Sequence, residues 1–143
     1  MGKKFFSKEQ CRVIEQAIER AELNCSGEIR VHVARRCEAN VLDSAAQTFA
    51  LLGMQRTKLR NGILFYFAAD DHKFAVIGDC GINAKVTNDF WTTISGEMEQ
   101  QFKKGDFVGG LCNAIERCGE LLKQYFPYQS DDENELSNEV SFE

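Results

Sequence analysis

Apolar residues recur along this chain with two different periods. A spacing of three and four residues predicts four helices. Three of these helices begin directly after residues that cap helices well, namely Ser7, Asn40 and Asp106. Ser7 is also the first residue of a capping box that ends at Gln10. The remaining helix begins near Asn88.

Three segments between the helices are typical of strands. In residues 28–33, apolar side chains alternate with polar ones, which predicts a strand with one wetter face. Residues 62–68 are continuously apolar, as expected for a central strand that is covered on both faces. Residues 73–77 follow a polar turn at 70–72, so the last two strands are predicted to form a hairpin.

These elements follow the order α-β-α-β-β-α-α and predict a single-domain α/β/α sandwich with a small mixed sheet. The first two strands are joined through a helix, so we expect them to be parallel with a right-handed crossover. The hairpin then adds an antiparallel strand. A fourth, short strand is expected from residues 82–86 or from the C-terminal tail.

Composition divides the 143 residues into a nearly neutral domain, 1–128, and an acidic tail, 129–143. The domain holds all 17 Lys and Arg residues, whereas the tail holds six carboxylates. The tail is predicted either to remain solvated or to dock as an edge strand through Leu136, Val140 and Phe142. The pI near 5.1 argues against nucleic-acid binding.

The chain shows neither a membrane span nor a leader sequence. Its longest apolar run, residues 63–69, is far shorter than the roughly 20 residues that a spanning helix requires. The N-terminal residues lack the apolar stretch of a signal peptide, so we expect a cytoplasmic protein. The six cysteines show no C-x-x-C spacing, and reduced thiols are expected.

Glycines and polar residues gather at one predicted end of the sheet. Because the first two strands are parallel and the third runs back, the loops at 26–28, 58–62 and 78–82 should meet there. Glu28 and Asp79 in these loops supply carboxylate oxygens, which suit Ca²⁺ or Mg²⁺, and are the predicted metal ligands.

The same loops are predicted to bind phosphate or another ligand. Arginine can hold a phosphate or a carboxylate with two parallel hydrogen bonds, and glycine lets the backbone approach a ligand closely. The residues predicted to contribute are Arg56, Lys58, Arg60, Asn61, Gly62 and Gly81. The alternative is purely structural, with a Glu28–Arg60 ion pair and a plain turn at 61–62.

Five segments of the chain resemble the TPM domain family. They are SGEIRVHV at 26–33, RNGIL at 60–64, DHKFA at 71–75, GDCGI at 78–82 and FKKGDFVGGL at 102–111. The endings YFPY at 125–128 and NEL at 134–136 are similar to a stand-alone bacterial subgroup. The resemblance covers about residues 7–128 and implies an α/β/α sandwich.

What the resemblance implies about function is less specific. A plant member is described as an acid phosphatase, other members act in assembly or repair of membrane complexes, and metal binding is known in the family. The family's site residues carried over to this chain are Glu28, Arg60, Asn61, Gly62, Asp79 and Gly81.

Two functions follow from these observations. The first is a non-catalytic binding or regulatory domain that holds a divalent cation, a protein partner or a small phosphorylated ligand at the strand-edge loops. The second is a metal-assisted phosphatase, in which Glu28 and Asp79 hold the metal and Arg60 steadies the phosphoryl group. No P-loop, G-x-S-x-G, H-E-x-x-H or C-x₅-R motif is present, which favours the first.

Overall fold

A computed structural model describes residues 5–23, 25–37, 40–127 and 138–142 of the chain. Most of the predicted acidic tail, together with Asn24 at the expected end of the first helix, lies outside these ranges. In chain order, the elements are α1 (Lys8–Glu22), β1 (Glu28–Ala34), α2 (Val41–Leu51), β2 (Gly62–Ala68), β3 (Lys73–Gly78), α3 (Cys80–Asn83), α4 (Asn88–Lys103), α5 (Phe107–Tyr125) and β4 (Ser141–Phe142).

The four strands form one mixed sheet in the order β3-β2-β1-β4. β1 runs parallel to β2 and to β4, whereas β2 and β3 are antiparallel. The register pairs Glu28 with Gly62, and Ile63 with Gly78. The α/β class, the parallel crossover and the hairpin are therefore confirmed. The fourth strand comes from the tail, while residues 80–83 form one helical turn instead of a loop.

Helices cover both faces of the sheet. On one face, α1, α4 and α5 bury a large core against alternate strand residues such as Val31, Phe65 and Val76. On the other face, α2 and the 3₁₀ turn Met54–Arg56 cover Leu64 and Tyr66. Every residue of β2 is buried, in agreement with the continuous apolar run in its sequence.

The predicted caps set the starts of three helices. Ser7 and Gln10 form the complete capping box, with the Ser7 hydroxyl accepting from the Gln10 N–H. The Asn40 side chain accepts from the N–H of Leu42, and Asp106 accepts from that of Gly109. These contacts satisfy N–H groups that have no partner inside a helix.

The polar face of β1 is buried rather than wet, which corrects the interpretation of its alternating pattern. Glu28 is 2% exposed and His32 is 7% exposed. β4 accounts for His32 alone, because it pairs with residues 32 and 33 and brings the Ser141 hydroxyl to 2.7 Å from Nδ1 of His32. Glu28 lies at the opposite end of β1, where its N–H donates to the carbonyl of Asn61. The backbone N–H of Val140 also donates to Glu15 of α1.

No helix in the described ranges is long and apolar enough to cross a membrane. The cytoplasmic location stays a prediction.

We expect the substitution Val140→Ala to lower the free energy of unfolding by about 1–2 kcal/mol, because Val140 is 8% exposed and loses two buried carbon atoms. Val13→Ala is the matched control, since Val13 is 41% exposed on α1 and alanine favours a helix. Urea titration of both variants measures the difference. Equal stability of the two variants would mean that residues 138–142 do not dock.

Candidate functional site

Three loops meet at the end of the sheet where β1 and β2 begin and β3 ends, as the sequence predicts. The N–H of Glu28 donates to the carbonyl of Asn61 over 3.3 Å, and the N–H of Asp79 donates to that of Gly62 over 2.9 Å. We call residues 26–28, 56–62 and 78–82 the loop site. Its predicted members are thus brought together by the strand register itself.

Arg60 and Asp79 form the main ion pair of the loop site. Nε of Arg60 lies 2.8 Å from Oδ2 of Asp79, and Nη2 lies 3.0 Å from Oδ1. The Oδ1 atom also accepts from the N–H of Cys80, so Asp79 caps α3 as well. The hydrogen bond and the charge of Asp79 raise the pKa of the Arg60 guanidinium. Arg60 therefore pairs with Asp79 and not with Glu28, the partner expected in the structural alternative.

Arg60 adopts a backbone conformation that few residues other than glycine adopt, with φ at 52°. Its N–H closes a turn onto the carbonyl of Thr57, and its own carbonyl accepts from the N–H of Gly81. The side chain is nevertheless about half exposed, at 49%. The guanidinium thus fixes the loop while one of its faces remains open to solvent.

Gly81 is required by a close backbone approach. A Cβ atom at this position would lie 2.5 Å from the carbonyl oxygen of Arg60 and closer still to that of Leu59. Because both obstructing atoms belong to the backbone, neither can rotate away. Gly81 therefore allows α3 to pack directly on the Arg60 loop.

Asn61 is buried at the centre of the loop site, at 1% exposure. Its Nδ2 donates to the carbonyl of Ser26 over 3.2 Å, and its N–H donates to the Thr57 hydroxyl. Its Oδ1 atom has no hydrogen-bond partner among the described residues. A buried carboxamide oxygen without a partner is unusual in a native structure and is a natural contact for water or a cation.

The predicted metal ligands are both buried, Glu28 at 2% and Asp79 at 8% exposure. Asp79 already uses both oxygens in bonds to Arg60 and Cys80. Within the described ranges, no three His, Cys, Asp or Glu side chains are placed to hold one metal ion. The Ca²⁺ or Mg²⁺ site at Glu28 and Asp79 stays a prediction.

The remaining predicted contacts lie on the outer side of the loop site. Arg56 and Lys58 are exposed, and neither forms an ion pair with a residue that the structure describes. Leu59 is 47% exposed beside them. Gly62 instead faces inward, where a Cβ atom would touch Met54 and Phe49.

Sequence reasoning missed Glu22, a carboxylate that joins the end of α1 to the start of β1. Its Oε2 accepts from the N–H of Ile29 over 2.7 Å. The pKa of Glu22 is raised to about 8, mainly by burial; the Ile29 hydrogen bond lowers it and the nearby charge of Glu28 raises it. A glutamate in the last turn of a helix gives no sequence signal for this burial.

We expect Gly81→Ala to lower the free energy of unfolding by at least about 2 kcal/mol, since α3 must move away from the Arg60 loop. Gly96→Ala is the matched control, because a Cβ atom at Gly96 in α4 meets nothing within 4 Å. That variant should be neutral or more stable by up to about 1 kcal/mol. Thermal unfolding of both proteins measures the difference, and a neutral Gly81→Ala would contradict the close approach.

Glu22 should make the protein less stable as the pH rises. A pKa near 8 in the folded chain, above the ordinary value of 4.5, means that the folded state binds the extra proton between those pH values. Glu22→Gln keeps an oxygen for the Ile29 N–H but carries no charge. We expect it to exceed the wild type in stability at pH 8.5 by on the order of 4 kcal/mol and to match it near pH 4.

The matched control is Glu19→Gln, which removes an exposed carboxylate from the same helix. Urea titrations at both pH values give the stabilities of the wild type and the two variants. If Glu22→Gln and Glu19→Gln shift the pH dependence equally, Glu22 is not the group responsible.

Comparison with known proteins places this geometry in a family. A sequence model described as the TPM domain matches residues 2–121. The BA42 protein from the psychrophilic bacterium Bizionia argentinensis has an NMR structure that is similar over 97% of this chain and 96% of that one. The identity is 45% and the TM-score is 0.90.

A more distant solved structure shares the fold. It is the N-terminal domain of the cg2496 protein from Corynebacterium glutamicum, which is 14% identical and aligns with a TM-score of 0.64. The alignment covers 82% of this chain and 74% of that one. The comparison with curated proteins gives no match. From the extent of the TPM model and the similarity to BA42, the chain belongs to the TPM domain family.

Proposed function

We propose that this TPM domain is a non-catalytic binding domain whose loop site takes an acidic segment of a protein partner. The observation that carries the proposal is the unequal pairing of the three cations in residues 56–60. Arg60 is held by Asp79, whereas Arg56 and Lys58 are exposed and have no ion-pair partner among the described residues. These two side chains therefore keep their charge available to a partner.

The surroundings of these cations support a protein partner. Leu59 lies between Lys58 and Arg60 in the chain and exposes 47% of its surface, which gives the loop an apolar contact beside its charges. The loop is also well supported. The N–H of Gly81 donates to the carbonyl of Arg60, and Asp79 pairs with the Arg60 side chain. A preorganised loop loses little conformational entropy when it binds.

The pairing of Asp79 speaks against hydrolysis as the main function. Asp79 already accepts three hydrogen bonds from Arg60 and Cys80, two at Oδ1 and one at Oδ2. A carboxylate offers about four lone-pair positions, so little of Asp79 is left for a metal. A metal at Asp79 would also compete with Arg60 for the charge of this carboxylate.

Metal-assisted phosphomonoester hydrolysis is the second candidate, and one observation favours it. The unpartnered Oδ1 of Asn61 lies within the loop site, where Glu28 is also buried. Oxygen atoms of carboxamides and carboxylates are the ligands of Ca²⁺ and Mg²⁺. In this mechanism Glu28 and Asp79 would hold the metal, which would supply the charge that activates a water molecule, and Arg60 would bind the phosphoryl group.

We expect a hexaglutamate peptide to shift the amide resonances of residues 56–62 and 78–82 in an NMR titration at low salt. Arg56→Gln combined with Lys58→Gln should weaken this binding about tenfold, at roughly 0.7 kcal/mol for each exposed charge. The matched control combines Lys8→Gln with Arg12→Gln, which removes two exposed cations from α1. Equal weakening in both double variants would overturn the loop as the binding surface.

The hydrolase candidate is tested on the same protein with Ca²⁺, Mg²⁺ and p-nitrophenyl phosphate. The binding proposal expects no metal-dependent hydrolysis by the wild type and none by Asp79→Asn. Hydrolysis by the wild type that Asp79→Asn abolishes, while the variant stays folded by circular dichroism, would replace the binding proposal with the second candidate. Metal-induced shifts confined to residues 26–28, 61 and 79 would locate the cation.

A further inference from the structure

A pocket of about 490 Å³ lies at the other end of the sheet, where β2 ends and β3 begins. Its position is about 20 Å from the loop site, given the seven residues of β2 and a rise near 3.3 Å for each. Its volume is in the usual range for small-molecule sites, about 300–1,000 Å³. We call it the aromatic pocket.

Phenylalanines from five parts of the chain line the aromatic pocket. They come from the segment before α1, from β2, from β3, from α4 and from the first turn of α5, and are Phe5, Phe67, Phe74, Phe102 and Phe107. Phe102 is the central ring, with centroid distances of 5.1 Å to Phe74 and to Phe107 and 5.9 Å to Phe67. These separations are typical of interacting aromatic pairs.

Most of these aromatic rings are only partly buried in the core. Phe107 is 38% exposed, and Phe5, Phe74 and Phe102 are partly buried. Partly exposed aromatic rings that line one concave surface are a common feature of ligand sites, since a flat ligand can still stack on them. The pocket is therefore suited to a planar aromatic group.

Positive charge lies at the rim of the aromatic pocket. Lys73 and Lys103 both line it, together with one carboxylate, Glu99. Both lysines are exposed, but Lys103 is paired with Glu99 at 3.4 Å, which leaves Lys73 as the cation of the rim without an ion-pair partner among the described residues. The two carboxylates in the preceding turn are engaged elsewhere, Asp70 with Arg35 and Asp71 with the N–H of Cys37.

We propose that the aromatic pocket binds a small ligand that combines one or two fused aromatic rings with a carboxylate. The ligand rings stack on the exposed surfaces of Phe74, Phe102 and Phe107 that line the pocket, and the carboxylate faces Lys73 at the rim. Lys73 has no ion-pair partner in the part of the chain that the structure describes, so its charge is free to attract the carboxylate. The proposal does not rest on the loop site or on its acidic partner.

The test compares two probes that share a ring and differ in charge, 2-naphthoate and protonated 2-naphthylmethylamine. In NMR titrations at pH 7 and low salt, we expect 2-naphthoate to shift the amides of residues 67–74 and 99–107. Its dissociation constant should be at least about fivefold lower than that of the amine, corresponding to roughly 1 kcal/mol for the charge.

Two variants separate the ring contact from the charge. Lys73→Gln combined with Lys103→Gln should remove the preference for 2-naphthoate, because both cations at the rim are lost. Phe107→Ala should weaken both probes, since it removes a stacking surface without touching the charges. The control Lys85→Gln combined with Lys123→Gln has the same net charge as the first variant and should bind both probes as the wild type does.

Several results would overturn the proposal. One is the absence of shifts at residues 67–74 and 99–107 with millimolar 2-naphthoate. Another is equal binding of the two probes by the wild type, or an unchanged preference in the Lys73 and Lys103 double variant. Because that variant alters exposed side chains, it remains informative even where Phe107→Ala unfolds. Shifts confined to the loop site would also reject the aromatic pocket, without affecting the separate peptide experiment.

Discussion

The ion pair between Arg60 and Asp79 holds together the end of the sheet on which the candidate site is built. It joins the residue before Asn61 to the residue that caps α3, and so it connects the start of β2 with the end of β3. The backbone N–H of Gly81 adds a bond to the carbonyl of Arg60 beneath the pair. Together these contacts support a loop in which Arg60 is left-handed and the side chains of Arg56, Lys58 and Leu59 are exposed. The partner-binding surface proposed for this domain is therefore a consequence of a structural salt bridge.

Most of the fold could be predicted from the sequence, because local signals and tertiary packing agree. The capping residues Ser7, Asn40 and Asp106 fix helix starts, and the unbroken apolar run at 62–68 marks the central strand. The order of parallel and antiparallel connections then places three loops at one end. β4 was predicted only as one of two alternatives for a fourth strand, since a strand of two residues has little periodicity to recognise. Its docking explains the buried contact of His32, on the face of β1 that was predicted to be wetter.

The site was predictable in its location but not in its pairings. In the sequence, either Glu28 or Asp79 could be the ion-pair partner of Arg60. The register of β2 between β1 and β3 brings Asp79 to Arg60. The role of Glu22 could not be predicted, because its burial depends on where β1 begins relative to α1. The aromatic pocket could not be predicted from the sequence for a similar reason. Within its own helix or strand, each phenylalanine stands at a position typical of a core residue. Only the packing of five separate segments shows that these rings share a surface.

The pairing of His32 with Ser141 spans 109 positions of the chain and has a consequence for how the protein is made. β1 is synthesised early, but the part of its outer edge at His32 and Val33 gains a strand partner only after residue 142 has been synthesised. During most of translation, the backbone N–H and C=O groups along this edge have no strand partner, although α1, β2 and β3 are already available to fold. An open strand edge is a template for pairing with other chains. The growing chain therefore depends on residues 138–142 to protect this part of the sheet edge.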